Sequence, residues 1–240
     1  MKIGILKADS VRPEFQSEFG DYPDMFIKLL TEAATMPVSF ETYDVEAGQY
    51  TAHIDDCDGY LITGSRRSVY EDEPWILELG KYVVRLHEAR TPLVGICFGH
   101  QMIALVLGGN TEPAEAGWGV GVHKSRVLGQ EPFMDPPQEE LQLIVSHKDQ
   151  VNHLPAGAEL LATSEFCPNS MFRIGNHILA FQGHPEFVKG YSEALISMRH
   201  EMLGETVTSQ GLTSLEEPTN SPVMARWILN FIELSASAAA

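Results

Sequence analysis

Two short stretches of the chain carry residues whose types and spacing suit chemistry. The first is Gly95-Ile96-Cys97-Phe98-Gly99-His100-Gln101. A cysteine between two glycines, after an apolar run and before a predicted helix, is the sulfur version of a nucleophile elbow. The glycines have a steric cause, because a tight strand-to-helix turn leaves no room for a Cβ at the flanking positions. The turn is expected to hold the Cys97 thiol at the carboxyl end of a parallel sheet, where open α/β folds bind ligands. It also sets the thiol at a helix N-terminus, whose partial positive charge favours thiolate. The Phe98 amide, free at the start of that helix, is expected to face the site as an oxyanion donor.

A thiol nucleophile needs a base, and the base needs a group to orient it. The second stretch, Phe181-Gln182-Gly183-His184-Pro185-Glu186, supplies both at the end of an apolar strand. Glu186, two residues beyond His184, can accept the second imidazole proton, and Pro185 narrows the backbone between them. Cys97, His184 and Glu186 are therefore the candidate catalytic set. Cys57 lies among Asp55, Asp56 and Asp58, and Cys167 between Glu165 and Pro168 has no helix start beside it. Neither setting activates a thiol, so both read as structural.

Three further pieces are expected around the site. Thr63-Gly64-Ser65 ends a strand and can present backbone amides as the second oxyanion donor. Gly117-Trp118-Gly119-Val120-Gly121 can line a pocket with backbone groups. Ser146-His147-Lys148-Asp149, read as a loop after a strand over 142–145, can meet a polar substrate.

These pieces must be positioned by an α/β fold. In the first half, strands at 3–7, 38–43, 59–64 and 93–96 alternate with helices at 23–36, 74–89 and 98–107. The alternation predicts an open, mainly parallel sheet with helices on both faces. The second half holds shorter strands near 120–127, 142–146, 159–163, 171–174 and 178–181, which form a smaller antiparallel portion. Helices return at 189–203 and 222–234, with a polar loop over 204–221. Residues 1–235 read as a single domain, and the low-complexity stretch 236–240 as a disordered tail.

Of 240 residues, 33 are acidic and 16 are Lys or Arg, a formal charge of -17. Such a surface repels phosphate backbones and anionic membranes, so neither is an expected partner. Three dispersed cysteines, with no CxxC pair, suggest reduced thiols in a cytoplasm and no metal site. No cofactor is expected.

With these motifs in hand, the chain resembles the class I glutamine amidotransferase family. The residues carrying the resemblance are Gly95 to Gln101, Ser146 to Val151, and Gly183-His184-Pro185-Glu186. It is similar to the amidotransferase domain of GMP synthase and to γ-glutamyl peptidases. The resemblance implies Cys97 as nucleophile, His184 as base and acid, Glu186 as orienter, and a γ-glutamyl thioester. It further implies oxyanion donors at Gly64 or Ser65 and at Phe98, with Gln101, Ser146 and His147 near the substrate. Two departures shape the expectation. Arg66-Arg67 follow Ser65 where many amidotransferases carry a Gly-Pro turn, as in stand-alone members, and no synthetase domain follows Glu186. The leading expectation is hydrolysis of the γ-amide of glutamine, with ammonia passed to a separate synthetase subunit. The alternative is a stand-alone γ-glutamyl hydrolase that uses Arg66 and Arg67 to hold an acidic substrate. A non-catalytic glutamine-binding regulator is the reading of another class.

Overall fold

In the computed structural model, which describes residues 1–239, the chain alternates strand and helix through its first half. The order is β1 (Lys2–Lys7), α1 (Pro13–Phe19), α2 (Tyr22–Ala33), β2 (Ser39–Asp44), β3 (Gly59–Ile62), α3 (Pro74–Glu88), β4 (Leu93–Ile96) and α4 (Phe98–Val106). The second half runs β5 (Asn110–Pro113), β6 (Gly119–Val127), β7 (Glu140–His147), β8 (Asp149–His153), β9 (Ala158–Thr163), β10 (Met171–Ile174) and β11 (Ile178–Phe181). It closes with α5 (Lys189–Met198), α6 (His200–Ser214) and α7 (Ser221–Ala239).

Nine strands form one open sheet in the order β2-β1-β3-β4-β11-β10-β9-β6-β7. The first five are parallel. The other four join antiparallel, and β5 pairs with β8 in a separate antiparallel ribbon. The two-residue period of a strand divides the apolar residues between two cores. Ile3, Ile5, Leu61, Val94, Ile96, Leu179 and Phe181 meet α2 and α7 on one face. Leu6, Tyr60, Ile62, Leu93, Ile178 and Ala180 meet α3 and α4 on the other. The sheet is thus covered on both sides, as the sequence predicts.

The antiparallel half folds back towards the parallel half. β7 is the far edge strand, yet its Ile144 carbonyl accepts the His184 amide at 2.7 Å, just beyond β11. A Cβ on Gly183 would sit 2.7 Å from that of Leu143, so only glycine lets β7 approach this closely.

Three stretches differ from expectation. Residues 204–221 hold most of α6 in place of a loop, broken from its first turn at Gly204, where φ is 75°. Only Thr208, Gly211 and Leu215 are buried here, three or four residues apart, and the polar remainder hides that face. Gly211 packs directly on Val120. The short α1 is a further addition, opened by Pro13. Finally, α7 continues to Ala239 through the stretch expected to be disordered, in line with the high helix propensity of alanine; residue 240 lies outside the described residues. No helix among the described residues is long and apolar enough to cross a membrane.

The elbow supplies a stability test. A Cβ on Gly95 would lie 2.7 Å from the carbonyl carbon and oxygen of Gly99, which are backbone and cannot swing away. Gly95→Ala is expected to cost about 1–3 kcal/mol, the range for overpacking, read as a lower urea midpoint at unchanged m-value.

Candidate active site

Three neighbouring parallel strands deliver the chemistry-bearing residues. In the register of β3, β4 and β11, Ile62 lies beside Gly95, and Ile96 beside Phe181. Their carboxyl ends therefore lie together, with Gly64 following β3, Cys97 following β4, and His184 following β11. The Cys97 amide donates to the Phe181 carbonyl at 3.0 Å, which ties the elbow to the strand that leads to His184.

Cys97 has φ 50° and ψ -97° at the start of α4. A positive φ at a non-glycine residue is strained, and the surroundings must enforce it. They do so by proximity. A Cβ on Gly99 would lie 2.8 Å from the Ile62 carbonyl oxygen, as close as the Gly95 contact described above. The strand, the turn and the first turn of α4 consequently share one narrow space.

His184 Nδ1 and Glu186 Oε1 are 2.7 Å apart, and both side chains are buried. Burial opposes the charged imidazolium. The Glu186 carboxylate and the Cys97 sulfur together outweigh it and push the His184 pKa up to about 10. Phe187 stacks on the His184 ring with centroids 4.0 Å apart, and Tyr22 stacks in turn on Phe187. Gly64 leaves space for the imidazole, since a Cβ there would lie 2.7 Å from His184 Cε1. Burial raises the pKa of Cys57 and pushes that of Cys167 up to about 12.

Cys97 and His184 open into one cleft. Gly64, Ser65 and Gln101 line it, as do Ser146 and His147. Glu186 sits behind His184. Phe98 turns its ring away onto Trp75, at 5.6 Å, while its amide opens α4. Gln101 is buried and donates to the Asp149 carbonyl at 2.7 Å and to Gln182 Oε1 at 3.0 Å.

Ser146 and His147 belong to β7 and do not form a loop. His147 is buried with Nδ1 3.1 Å from the Asp149 carbonyl oxygen, and burial lowers its pKa to about 3, so the ring is neutral. Of the stretch Gly117 to Gly121, Trp118 reaches the cleft. Gly119 abuts Phe166, and Gly121 abuts Gly211 and Ser214.

Arg66 and Arg67, expected to hold an acidic substrate, are both brought to the site. Both line the cleft, but both are already paired. Arg66 binds Asp9 with two side-chain donors, at 2.7 and 2.8 Å, and with its own amide. Arg67 lies 3.2 Å from Glu71 and 3.9 Å from Glu73. Their work is to hold the loop after β3. The sequence reading missed Asp9, Tyr22 and Arg199, which lie far from the motifs in the chain, and Phe187, which directly follows Glu186. The four-residue spacing of Tyr191, Leu195 and Arg199 is the signal that marks one side of α5 and its C-cap. No group of acidic, Cys or His residues suited to a metal ion occurs among the described residues.

Comparison with known proteins agrees with this geometry. Residues 22–199 match the family model described as glutamine amidotransferase class-I. γ-Glutamyl peptidase 4 of Arabidopsis thaliana is 32% identical over 174 residues, which cover 70% of this chain and 69% of the relative. A GMP synthase of Dehalococcoides mccartyi is 34% identical over 131 residues, covering 54% of this chain and 24% of that enzyme. The crystal structure of a glutamine amidotransferase from Thermotoga maritima superposes with a TM-score of 0.73 at 20% identity, covering 98% of each chain, and so shares the fold.

The His184–Glu186 pair is directly testable. Followed by NMR, the His184 ring is expected to titrate near pH 10. In Glu186→Gln, burial loses its main opponent and the midpoint falls. An unmoved midpoint contradicts the pairing.

Proposed function

Because the chain belongs to the class-I glutamine amidotransferase family, we propose that it hydrolyses γ-glutamyl amide bonds through Cys97. The observation that carries this reading is the convergence of the elbow cysteine with a buried, carboxylate-bonded His184 in one cleft. In the proposed reaction, the Cys97 thiolate attacks the γ-carbonyl carbon of the substrate. The oxygen takes the negative charge, held by the Phe98 amide and by an amide of Gly64 or Ser65. As the C–N bond breaks, the His184 imidazolium gives its proton to the leaving nitrogen, and a γ-glutamyl thioester remains. Water then attacks the thioester and gives a proton to His184. The C–S bond breaks, releasing glutamate and restoring the thiolate–imidazolium pair. Glu186 keeps the imidazole oriented and stabilises its charge throughout.

Resolution of the thioester by water without a second protein is the leading version. The γ-glutamyl peptidase match, which spans more than two thirds of both chains, supports it. The likeness to GMP synthase supports the second version, in which glutamine is the substrate and ammonia passes to a separate synthetase. The two separate in a mass-spectrometric screen of glutamine beside γ-glutamyl dipeptides and amine conjugates. Turnover of glutamine alone would sink the first version.

Hydroxylamine added during turnover should intercept the thioester as γ-glutamyl hydroxamate. Cys97→Ala should form none and lose at least about 10⁴-fold in kcat, while still binding substrate. Full activity in that variant would overturn the mechanism. Gly64→Ala presses on His184 Cε1 and should lower kcat by roughly 10²-fold, the cost of displacing a catalytic group by about 1 Å. Its melting temperature should move little, because the clash falls on a side chain and not on backbone.

A further inference from the structure

Arg199 follows the last residue of α5, lines the cleft and is partly buried. Its Nη1 donates to the Ser146 hydroxyl at 2.7 Å, and its guanidinium carbon lies 5.5 Å from the centre of the Trp118 ring. Among the described residues no carboxylate lies within ion-pair distance of it. The other arginines of the cleft do have carboxylate partners, Arg66 one and Arg67 two. A partly buried guanidinium without a counter-charge is costly. Burial lowers its pKa, and so do the charges of Arg12 and Arg66 nearby. A chain of formal charge -17 has thus gathered guanidinium groups at this wall and left its abundant carboxylates out of Arg199's reach.

The wall has a direction. Phe187, stacked on His184 just before α5, lines the cleft together with Leu195 of α5 and Arg199 at its C-terminal end. His184 is the group that hands its proton to the leaving nitrogen, so the leaving group departs along this side. Aromatic and aliphatic surface first, then an unpaired planar cation, suits a leaving group with a short body and a terminal carboxylate.

We propose that Arg199 is a specificity-determining residue that binds the carboxylate of the leaving group, so that the preferred substrates are γ-glutamyl amino acids and peptides with a free C-terminal carboxylate. The inference rests on the γ-glutamyl hydrolase reading and names its substrate class. Ammonia, the leaving group of glutamine, makes no use of Arg199.

The test compares γ-glutamylglycine with γ-glutamylglycinamide, which differ only in that carboxylate. The wild type should favour γ-glutamylglycine in kcat/KM, chiefly through KM. Arg199→Gln should shrink the ratio of the two about ten- to a hundredfold, as expected for a charge-assisted hydrogen bond. Partial misfolding lowers both rates together and drops out of the ratio. An unchanged ratio, or a wild type without preference, overturns the proposal. Equal losses on both substrates also overturn it, because they assign Arg199 to the glutamyl end or to the fold. Cys97→Ala protein gives a reading without turnover. It should bind γ-glutamylglycine more tightly than the glycinamide, and Cys97→Ala/Arg199→Gln should not. That preference in binding, with no wild-type turnover of either compound, would keep the role of Arg199 and sink the hydrolase reading. Turnover without the preference would do the reverse.

Discussion

The backbone at Cys97 is held at a φ of 50°, a conformation that costs an L-residue about 1–3 kcal/mol and survives only where its surroundings over-determine it. Here the surroundings are the two glycines and the strand next door. Gly95 lies against the backbone of Gly99, and Gly99 against the carbonyl of Ile62. A side chain at either position would push β4, α4 or β3 away and let the turn relax. The glycines thus act at a distance of one strand. They let β3 approach the elbow, and with β3 comes Gly64, the residue whose missing side chain admits the imidazole.

The same logic recurs at the second motif. Gly183 lets β7 come against the residue before His184, and the Ile144 carbonyl then takes the His184 amide. A strand from the far edge of the sheet thereby brings Ser146 and His147 to the cleft. The ring of His184 is fixed from three directions, by Glu186, by Phe187 and by the space at Gly64. A buried imidazole would ordinarily be neutral, as His147 and His100 are. His184 differs because a carboxylate and a sulfur share its burial.

Charge is distributed against the average of the molecule. The chain is strongly acidic, yet Arg66, Arg67, Lys148 and Arg199 all line the cleft. Two of these cations are neutralised by neighbours that hold the loop after β3. The cleft is thus richer in cationic side chains than the chain as a whole, with Asp149 beside them.

The residues themselves determined the chemistry that is legible without a structure. A glycine-flanked cysteine between an apolar strand and a helix has few other physical reasons to exist, and the contacts of Gly95 and Gly99 give that reason in detail. The alternating period of the apolar runs likewise determined the two-faced sheet. Other features were not legible, because they depend on which surfaces meet. Composition marks 204–221 as a loop, since only three residues of that region are buried, and Gly211 finds its partner on β6. Arg66 looks free in sequence because Asp9, its partner, lies 57 positions away. Arg199 looks like an ordinary surface cation until the fold seats it beside Trp118 and Ser146. Local sterics are written in neighbouring letters. The pairing of charges, and therefore which cation remains for a ligand, is decided by strand order and by the fold-back of β7.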